Sequence, residues 1–352
     1  MLKSVNGLLH KLRVTFKWLL GALEGFDPAT SSTSTPPSAP TTFATLAATH
    51  HLNHTLSATY TAYSSYEPYR GLIALTRYIN THLSAFYFEY SKDLLYAGTN
   101  AQRREVQAMC WEILRGLCQM LAPVCPLLVT EVVEHAPGKV GEALRGEGQD
   151  PFRRVWTPPA AQSPTAMVES PPVDLPSTFG LPLNKALTLL DSCTSAVKAA
   201  QEIARTARVM GSGLECRVEL RISQSSAHDE AAKFLEELAR RGELEALLVV
   251  SGVEVVRVGS GDVVEGQGRQ DGEMWRYEQA FEVQGEGGGA GRATAVAMPP
   301  GGAKCPRCWR YKAEKTDDAA LTLPEEAEAE PAKALCSRCA VAVGEQTQKQ
   351  KN

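Results

Sequence analysis

Apolar residues recur at helical spacing from the first turn of the chain, where Leu2, Val5, Leu8, Leu9, Leu12, Phe16, Leu19, Leu20 and Leu23 follow the pattern of an amphipathic helix. The same period predicts helices over 2–24, 43–65, 70–95, 100–121 and 126–135, broken at Pro28, Pro68, Pro123, Pro126 and Pro137. Such helices with short breaks predict an antiparallel bundle over 1–156. Within it, a Ser/Thr/Pro-rich tract near 28–42 is too polar to pack and predicts a disordered insertion. A second Pro-rich stretch places a linker at 157–183. The pattern then changes. A helix to Arg208, an alternating strand at Arg217–Ser223, a helix at Asp229–Arg241 and strands near Leu247–Val258 and Met274–Val283 predict a small α+β unit over 184–284. Glycines and prolines over 285–302 predict a second linker, leading to a last module at 303–345. The fold class expected is mainly α: a helical bundle, a small α+β unit and a four-cysteine module.

The strongest chemical signal lies in that module. Cys305 and Cys308, then Cys336 and Cys339, form two Cys-x2-Cys pairs, the spacing that lets two tight turns present four thiolates to one metal ion. Four soft ligands with no open position predict a single structural zinc rather than a catalytic one. Four thiolates around a divalent cation leave a charge of about −2, which nearby cations must offset. Lys304, Arg307, Arg310 and Lys312 crowd the first pair, Arg338 sits in the second, and Trp309 and Tyr311 interleave two rings. A basic patch with aromatics suits phosphate contact and base stacking. The competing reading is that the arginines neutralise the thiolates and Trp309 packs the interior of the module. Between the pairs, Glu314–Glu330 carries seven acids and one lysine, so this loop is expected to point away from any bound nucleic acid.

Composition narrows the remaining possibilities. With 352 residues, a formal charge of −4 and a pI near 6.0, the chain has no global attraction to nucleic acid, so RNA contact must rest on local patches. The cations available are Lys11, Arg13 and Lys17 on the first helix, Arg103 and Arg104 at a helix start, Arg205 and Arg208, and Lys304, Arg307, Arg310 and Arg338 beside Trp309. Cys110, Cys118, Cys125, Cys193 and Cys216 lack disulfide-like pairing and read as buried free thiols in a reducing compartment. His50, His51 and His54 have no acid or thiolate beside them and read as surface histidines. Gly285, Gly287, Gly288 and Gly289 follow no Rossmann-type strand and read as a linker. No run is long enough to cross a membrane, no signal peptide is recognisable, and the first helix starts uncapped, as the middle of a longer protein would. No phosphate loop, activated nucleophile or open metal site supports catalysis by this chain alone.

Four stretches together resemble a known family. Lys11 to Gly21 running on to Phe26-Asp27-Pro28, Leu83-Ser84-Ala85-Phe86-Tyr87 with Lys92-Asp93-Leu94-Leu95-Tyr96, Gly211-Ser212-Gly213-Leu214-Glu215 with Val250-Ser251, and Lys304-Cys305-Pro306-Arg307-Cys308-Trp309 with Leu335-Cys336-Ser337-Arg338-Cys339 are similar, in order, to bacterial-type isoleucyl-tRNA synthetase. The resemblance covers nearly the whole chain except the polar and acidic insertions. Departures are Val14 and Leu94, where the family usually carries Asn and Arg. The resemblance implies an anticodon-binding domain that grips isoleucine tRNA, followed by a zinc module. It also implies ATP-dependent attachment of isoleucine in the parent enzyme, with ATP bound only there. The catalytic and editing domains, with their His-Ile-Gly-His and Lys-Met-Ser-Lys-Ser signatures, are absent here, so this chain is expected to be inactive alone. Its implied partners are tRNA and those domains, with no membrane, and the implied state is a monomer. The expected compartment is a mitochondrion or chloroplast for a nuclear-encoded organellar enzyme, and otherwise the cytoplasm. The alternative is a stand-alone tRNA-binding zinc protein that acts with a separate partner. A DNA-repair glycosylase with a similar finger is set aside because its N-terminal catalytic residues are missing.

Overall fold

The computed structural model describes residues 2–31, 42–146, 150–156, 179–224, 228–259, 269–271, 274–284, 290–314 and 335–351. The chain divides into two compact units, Met1–Pro171 and Pro172–Asn352. None of the described helices is long and apolar enough to cross a membrane.

The first unit is built from α1 (Leu2–Ala22), α2 (Pro28–Ser31), α3 (Phe43–Ser64), α4 (Pro68–Arg77), a π-helical segment (Tyr78–Tyr87), α5 (Phe88–Ala97), α6 (Asn100–Leu121), α7 (Pro126–His135) and α8 (Gly138–Arg145). Polar contacts at the helix ends fix the up-and-down order. Gln107 near the start of α6 donates to the carbonyls of Ala22 and Glu24 at 2.9 and 3.2 Å, and the Thr42 and Thr45 hydroxyls donate to Glu105 at 2.9 and 3.0 Å. At the other end the Tyr63 hydroxyl donates to the Met120 carbonyl at 2.9 Å. Thus α3 and α6 run together and α1 runs against them. Proline at the first turn of α4 and α7, where an N–H would have no helical partner, and a capping box at Thr99 and Gln102 set where these helices begin. Phe16, Leu19, Leu23, Phe43, Ile113 and Leu117 are buried at the centre.

Several expectations change here. The helix expected over 70–95 is interrupted, because Tyr78–Tyr87 adopts i→i+5 bonding. Buried Tyr78, Leu83 and Tyr87 lie five and four residues apart, and the wider turn keeps them on one face where a 3.6-residue turn would rotate them off it. The tract near 28–42 is not wholly irregular: Pro28–Ser31 is helical, and Asp27 accepts from the Ala29 N–H at 3.0 Å and pairs with Lys139 on α8. Residues 32–41 of that tract, and 157–178 of the first linker, lie outside the described residues.

Of the three clustered histidines only His54 is a surface residue. His51 stacks on His82 of the π-helical segment, with ring centroids 3.7 Å apart, and His50 is half-buried. Burial, and then the neighbouring His82, His50 and His54, push the His51 ring down to about 3. An unfolded histidine titrates near ~6.5. Between that value and about 3 the unfolded chain takes up a proton that the folded chain refuses, so stability falls as pH drops through this window. We expect the urea midpoint to fall from pH 7 to pH 5, and to fall less in His51→Phe, which keeps a ring on His82. An equal fall in both proteins would remove His51 as the cause.

The second unit contains α9 (Leu183–Thr206), β1 (Arg217–Ser223), α10 (Asp229–Arg240), α11 (Glu243–Leu248), β2 (Gly252–Val258), β3 (Arg269–Asp271), β4 (Met274–Gln284), β5 (Ala290–Met298), β6 (Ala303–Lys304), β7 (Tyr311–Ala313) and α12 (Ser337–Lys351). The main sheet has the order β2-β1-β5-β4-β3, with β1 and β2 parallel and the other neighbours antiparallel. Val218, Leu220 and Ile222 of β1 stand opposite Ala297, Ala295 and Ala293 of β5 on one buried face. α9 packs on β4 and β5, and α10 packs on β2.

β5 replaces the 290–298 part of the linker expected at 285–302, since Ala290–Met298 lies in the middle of the sheet, and residues 285–289 of that linker lie outside the described residues. Alanine is a poor strand former, which hid the strand, but three alanines on one face let α9 approach closely. The strand expected from Leu247 begins at Gly252, because Gly242 and Val249, at φ of 71° and 55°, bracket the short helix α11 over the apolar run. The first linker also ends earlier than 183. Phe179, Leu181 and Leu183 are buried, with Phe179 between the Phe234 ring, its centroid 6.2 Å away, and the Arg241 guanidinium at 4.4 Å.

Candidate metal centre and nucleic-acid surface

The first cysteine pair sits in the turn between β6 and β7, where Cys305 N–H donates to the Arg310 carbonyl and Trp309 N–H to the Cys305 carbonyl, each at 2.9 Å. Glycine is required just before it. A Cβ on Gly302 would lie 2.8 Å from the Ala313 carbonyl oxygen and 2.9 Å from that of Tyr311. The second pair opens α12, with Cys336 preceding the helix and Cys339 in its first turn. Folding brings the four Sγ atoms within 4.8 Å of one another, and Cys305, Cys336 and Cys339 are buried. The Cys308 and Cys336 sulfurs are 3.7 Å apart. Tetrahedral zinc with Zn–S bonds of ~2.3 Å requires sulfurs roughly 3.8 Å apart. The arrangement can therefore hold one metal ion, and its size and donor set fit zinc.

Electrostatics make the same demand for a cation. Burial raises the Cys305 thiol, but backbone N–H groups of Cys308, Cys336 and Arg307 outweigh it and bring it down to about 6. Burial pushes Cys308 up to about 12 and also raises Cys339. Four sulfurs this close, three of them buried, cannot all ionise side by side unless a positive ion lies among them. The other thiols behave differently. Burial pushes Cys118 and Cys193 up to about 12 with no cation or second cysteine contributing, as for inert core thiols.

The module is joined to the sheet rather than forming a domain of its own. Arg310, expected to face RNA, is 6% exposed, and its guanidinium donates to the Val250 carbonyl at 2.5 Å and the Glu245 carbonyl at 3.4 Å. The Glu245 carbonyl already accepts from the Val249 and Val250 N–H groups that close the end of α11, and Val250 follows that end, so the guanidinium sits at the negative end of the helix. Arg310 thus leaves the set of RNA-facing candidates. Lys312 pairs with the Glu245 carboxylate beside it. Trp309 resolves the other way: it is 62% exposed at φ 63°, with the Lys304 ammonium 5.5 Å from its ring centroid, so it does not pack the interior. Arg307 and Arg338 are half-exposed on the two turns. The acidic stretch 315–334 lies outside the described residues.

The remaining cations do not gather. On α1, Arg13 pairs with Glu131 of α7 at 2.9 Å, whereas Lys11 lines a groove with Thr76 and Asn80 on another side, and Lys17 is exposed. Arg103 and Arg104 are exposed in the first turns of α6. In the second unit Arg205 bonds Glu202 at 2.9 Å and the Gly211 carbonyl at 3.2 Å, which makes it a strut for the loop after α9, and Arg208 projects from that loop at φ 58°. Ser251 is not recognisable as a site residue from sequence. It joins this loop to the first cysteine turn through partners 37 and 60 residues away, which local pattern cannot reveal.

The anticodon-binding domain of tRNA ligases matches residues 47–227. The chain belongs to that family. It is also similar to isoleucine–tRNA ligases across nearly all of its length. Identity is 26% to that of Gloeobacter violaceus over 97% of this chain and 28% of the relative. It is 27% to that of Thermosynechococcus vestitus over 97% of this chain, and 27% to that of Desulforamulus reducens over 98%, each covering 31% of the relative. The chain thus spans less than a third of the length of these relatives. As an anticodon-binding domain it matches from within α3 to just past β1, and the cysteine cluster lies beyond that match.

Proposed function

We propose that this chain is the tRNA-recognition portion of an isoleucine–tRNA ligase, contacting the anticodon region of isoleucine tRNA while other parts of the ligase carry out ATP-dependent aminoacylation. The observation that carries this reading is the family match over 47–227, extended by three isoleucine–tRNA ligases over at least 97% of the chain. One structural zinc, held by Cys305, Cys308, Cys336 and Cys339, organises the RNA-facing turn on which Lys304, Arg307 and Trp309 stand. A zinc ion there supplies charge and rigidity, with no open position for chemistry.

Fluorescence anisotropy with isoleucine tRNA and a tRNA of different anticodon tests the reading. The chain is expected to prefer the former and to charge neither. Arg307→Ala with Arg338→Ala should weaken binding and flatten its salt dependence by about one unit of slope for each phosphate no longer neutralised. Equal affinity for both tRNAs would overturn the assignment, and an unchanged slope would remove the two arginines from the interface.

A further inference from the structure

Trp309 and Lys304 form an exposed ring-and-cation platform on a turn held in two ways: backbone N–H groups of Arg307, Cys308 and Arg310 bond the Cys305 and Cys308 sulfurs, and a second set of bonds involves no sulfur. Trp309 N–H bonds the Cys305 carbonyl, and the next residue, Arg310, is anchored in the carbonyls at the end of α11. One residue further, Tyr311 N–H donates to the Ser251 hydroxyl at 2.8 Å. That hydroxyl belongs to a residue only 2% exposed and donates in turn to the Leu214 carbonyl at 2.5 Å, while Ser251 N–H donates to the Cys216 carbonyl at 3.0 Å. One side chain therefore ties the cysteine turn to the Gly211–Glu215 loop, whose other end is held by Arg205. A Cβ on Gly213 in that loop would lie 2.9 Å from the Val249 carbonyl oxygen, so the loop already touches the end of α11, where Arg310 is anchored. Three of the four non-glycine residues at positive φ among the described residues, Arg208, Val249 and Trp309, belong to these connected segments. Such strain persists where the surroundings hold the backbone firmly.

We propose that Ser251 and Arg310 are positioning residues that orient the Trp309–Lys304 platform toward RNA, separately from the metal. The inference rests on the reading of the module as an RNA-facing surface. In this arrangement the metal closes the two cysteine turns on each other, and the buried joint sets the direction in which the first turn presents its ring. Metal content and RNA affinity are then separable properties. A base stacked on Trp309 meets a ring that is already fixed, so little ordering is needed on binding.

The test uses the full chain and an isoleucine tRNA transcript. Ser251→Ala and Arg310→Met should each keep one zinc per chain and the wild-type far-UV spectrum. Each should lose on the order of tenfold in tRNA affinity. Adding Trp309→Ala to Ser251→Ala should cost little more, because the platform is already misdirected. The mobility of Trp309, read as anisotropy decay with Trp309→Phe as the blank, should rise in both variants. Unchanged affinity, penalties that add in full, or zinc lost together with affinity would each overturn the proposal. If the wild-type chain does not bind tRNA, the functional reading fails by itself. The joint is then judged on Trp309 mobility alone, and an unaltered decay in Ser251→Ala would overturn it.

Discussion

Cys339→Ser is expected to release the metal and to free α12 from the first cysteine turn. Cys339 is fully buried among sulfurs that all lie within 4.8 Å, so a serine hydroxyl there can neither reach out to water nor replace a thiolate as a soft ligand. Structural zinc contributes roughly 10–16 kcal/mol in small zinc modules at neutral pH, comparable to the whole stability of many domains. Losing even part of that exceeds what the described interactions around the second turn can replace, since Cys336 N–H to Cys305 Sγ at 3.5 Å is itself a bond to the ligand cluster. Elemental analysis after gel filtration should fall from one zinc per chain to none. Hydrogen exchange should accelerate in 335–344, while the first unit, which holds none of these ligands, keeps its protection. Retention of a full complement of zinc would show that the cluster is not the binding site.

Phe234→Ala should produce the largest loss of stability in the second unit. Phe234 is fully buried on α10, its ring centroid 6.2 Å from that of Phe179, and α10 covers β2. Removing the ring leaves a cavity and costs about 3–5 kcal/mol. With a urea slope of about 1–3 kcal/mol/M, the transition of this unit should fall by roughly 2 M. The transition of the helical bundle should stay in place, because the two units have separate cores. A shift of both transitions by the same amount would show that they unfold as one.

Some of this architecture was legible because the relevant signals are local. The helix start at Pro126 follows from a missing N–H, the break read at Pro68 is the start of α4 for the same reason, and the apolar period of α1 and α6 follows from one buried face. The cysteine spacing states its chemistry within four residues. Other features were hidden because they depend on what packs opposite. Ala293, Ala295 and Ala297 read as filler beside glycines, and only pairing with β1 on one side and β4 on the other makes them the middle of a sheet. Arg310 and Trp309 are neighbours in a run of cations and rings, and nothing local says which turns inward.

The sequence by itself determined the period of the helices, the four-cysteine ligand set and the family resemblance, because each rests on residue type and short spacing. Tertiary structure decided which cations remain for RNA. Arg310 was drawn into the carbonyls that end α11, and Arg13 was paired with Glu131, more than a hundred residues away. It also decided that Trp309 stands exposed and that Ser251 accepts the Tyr311 N–H two residues further on. Burial and pairing are properties of the space around a side chain, and that space is made by segments the local pattern does not connect.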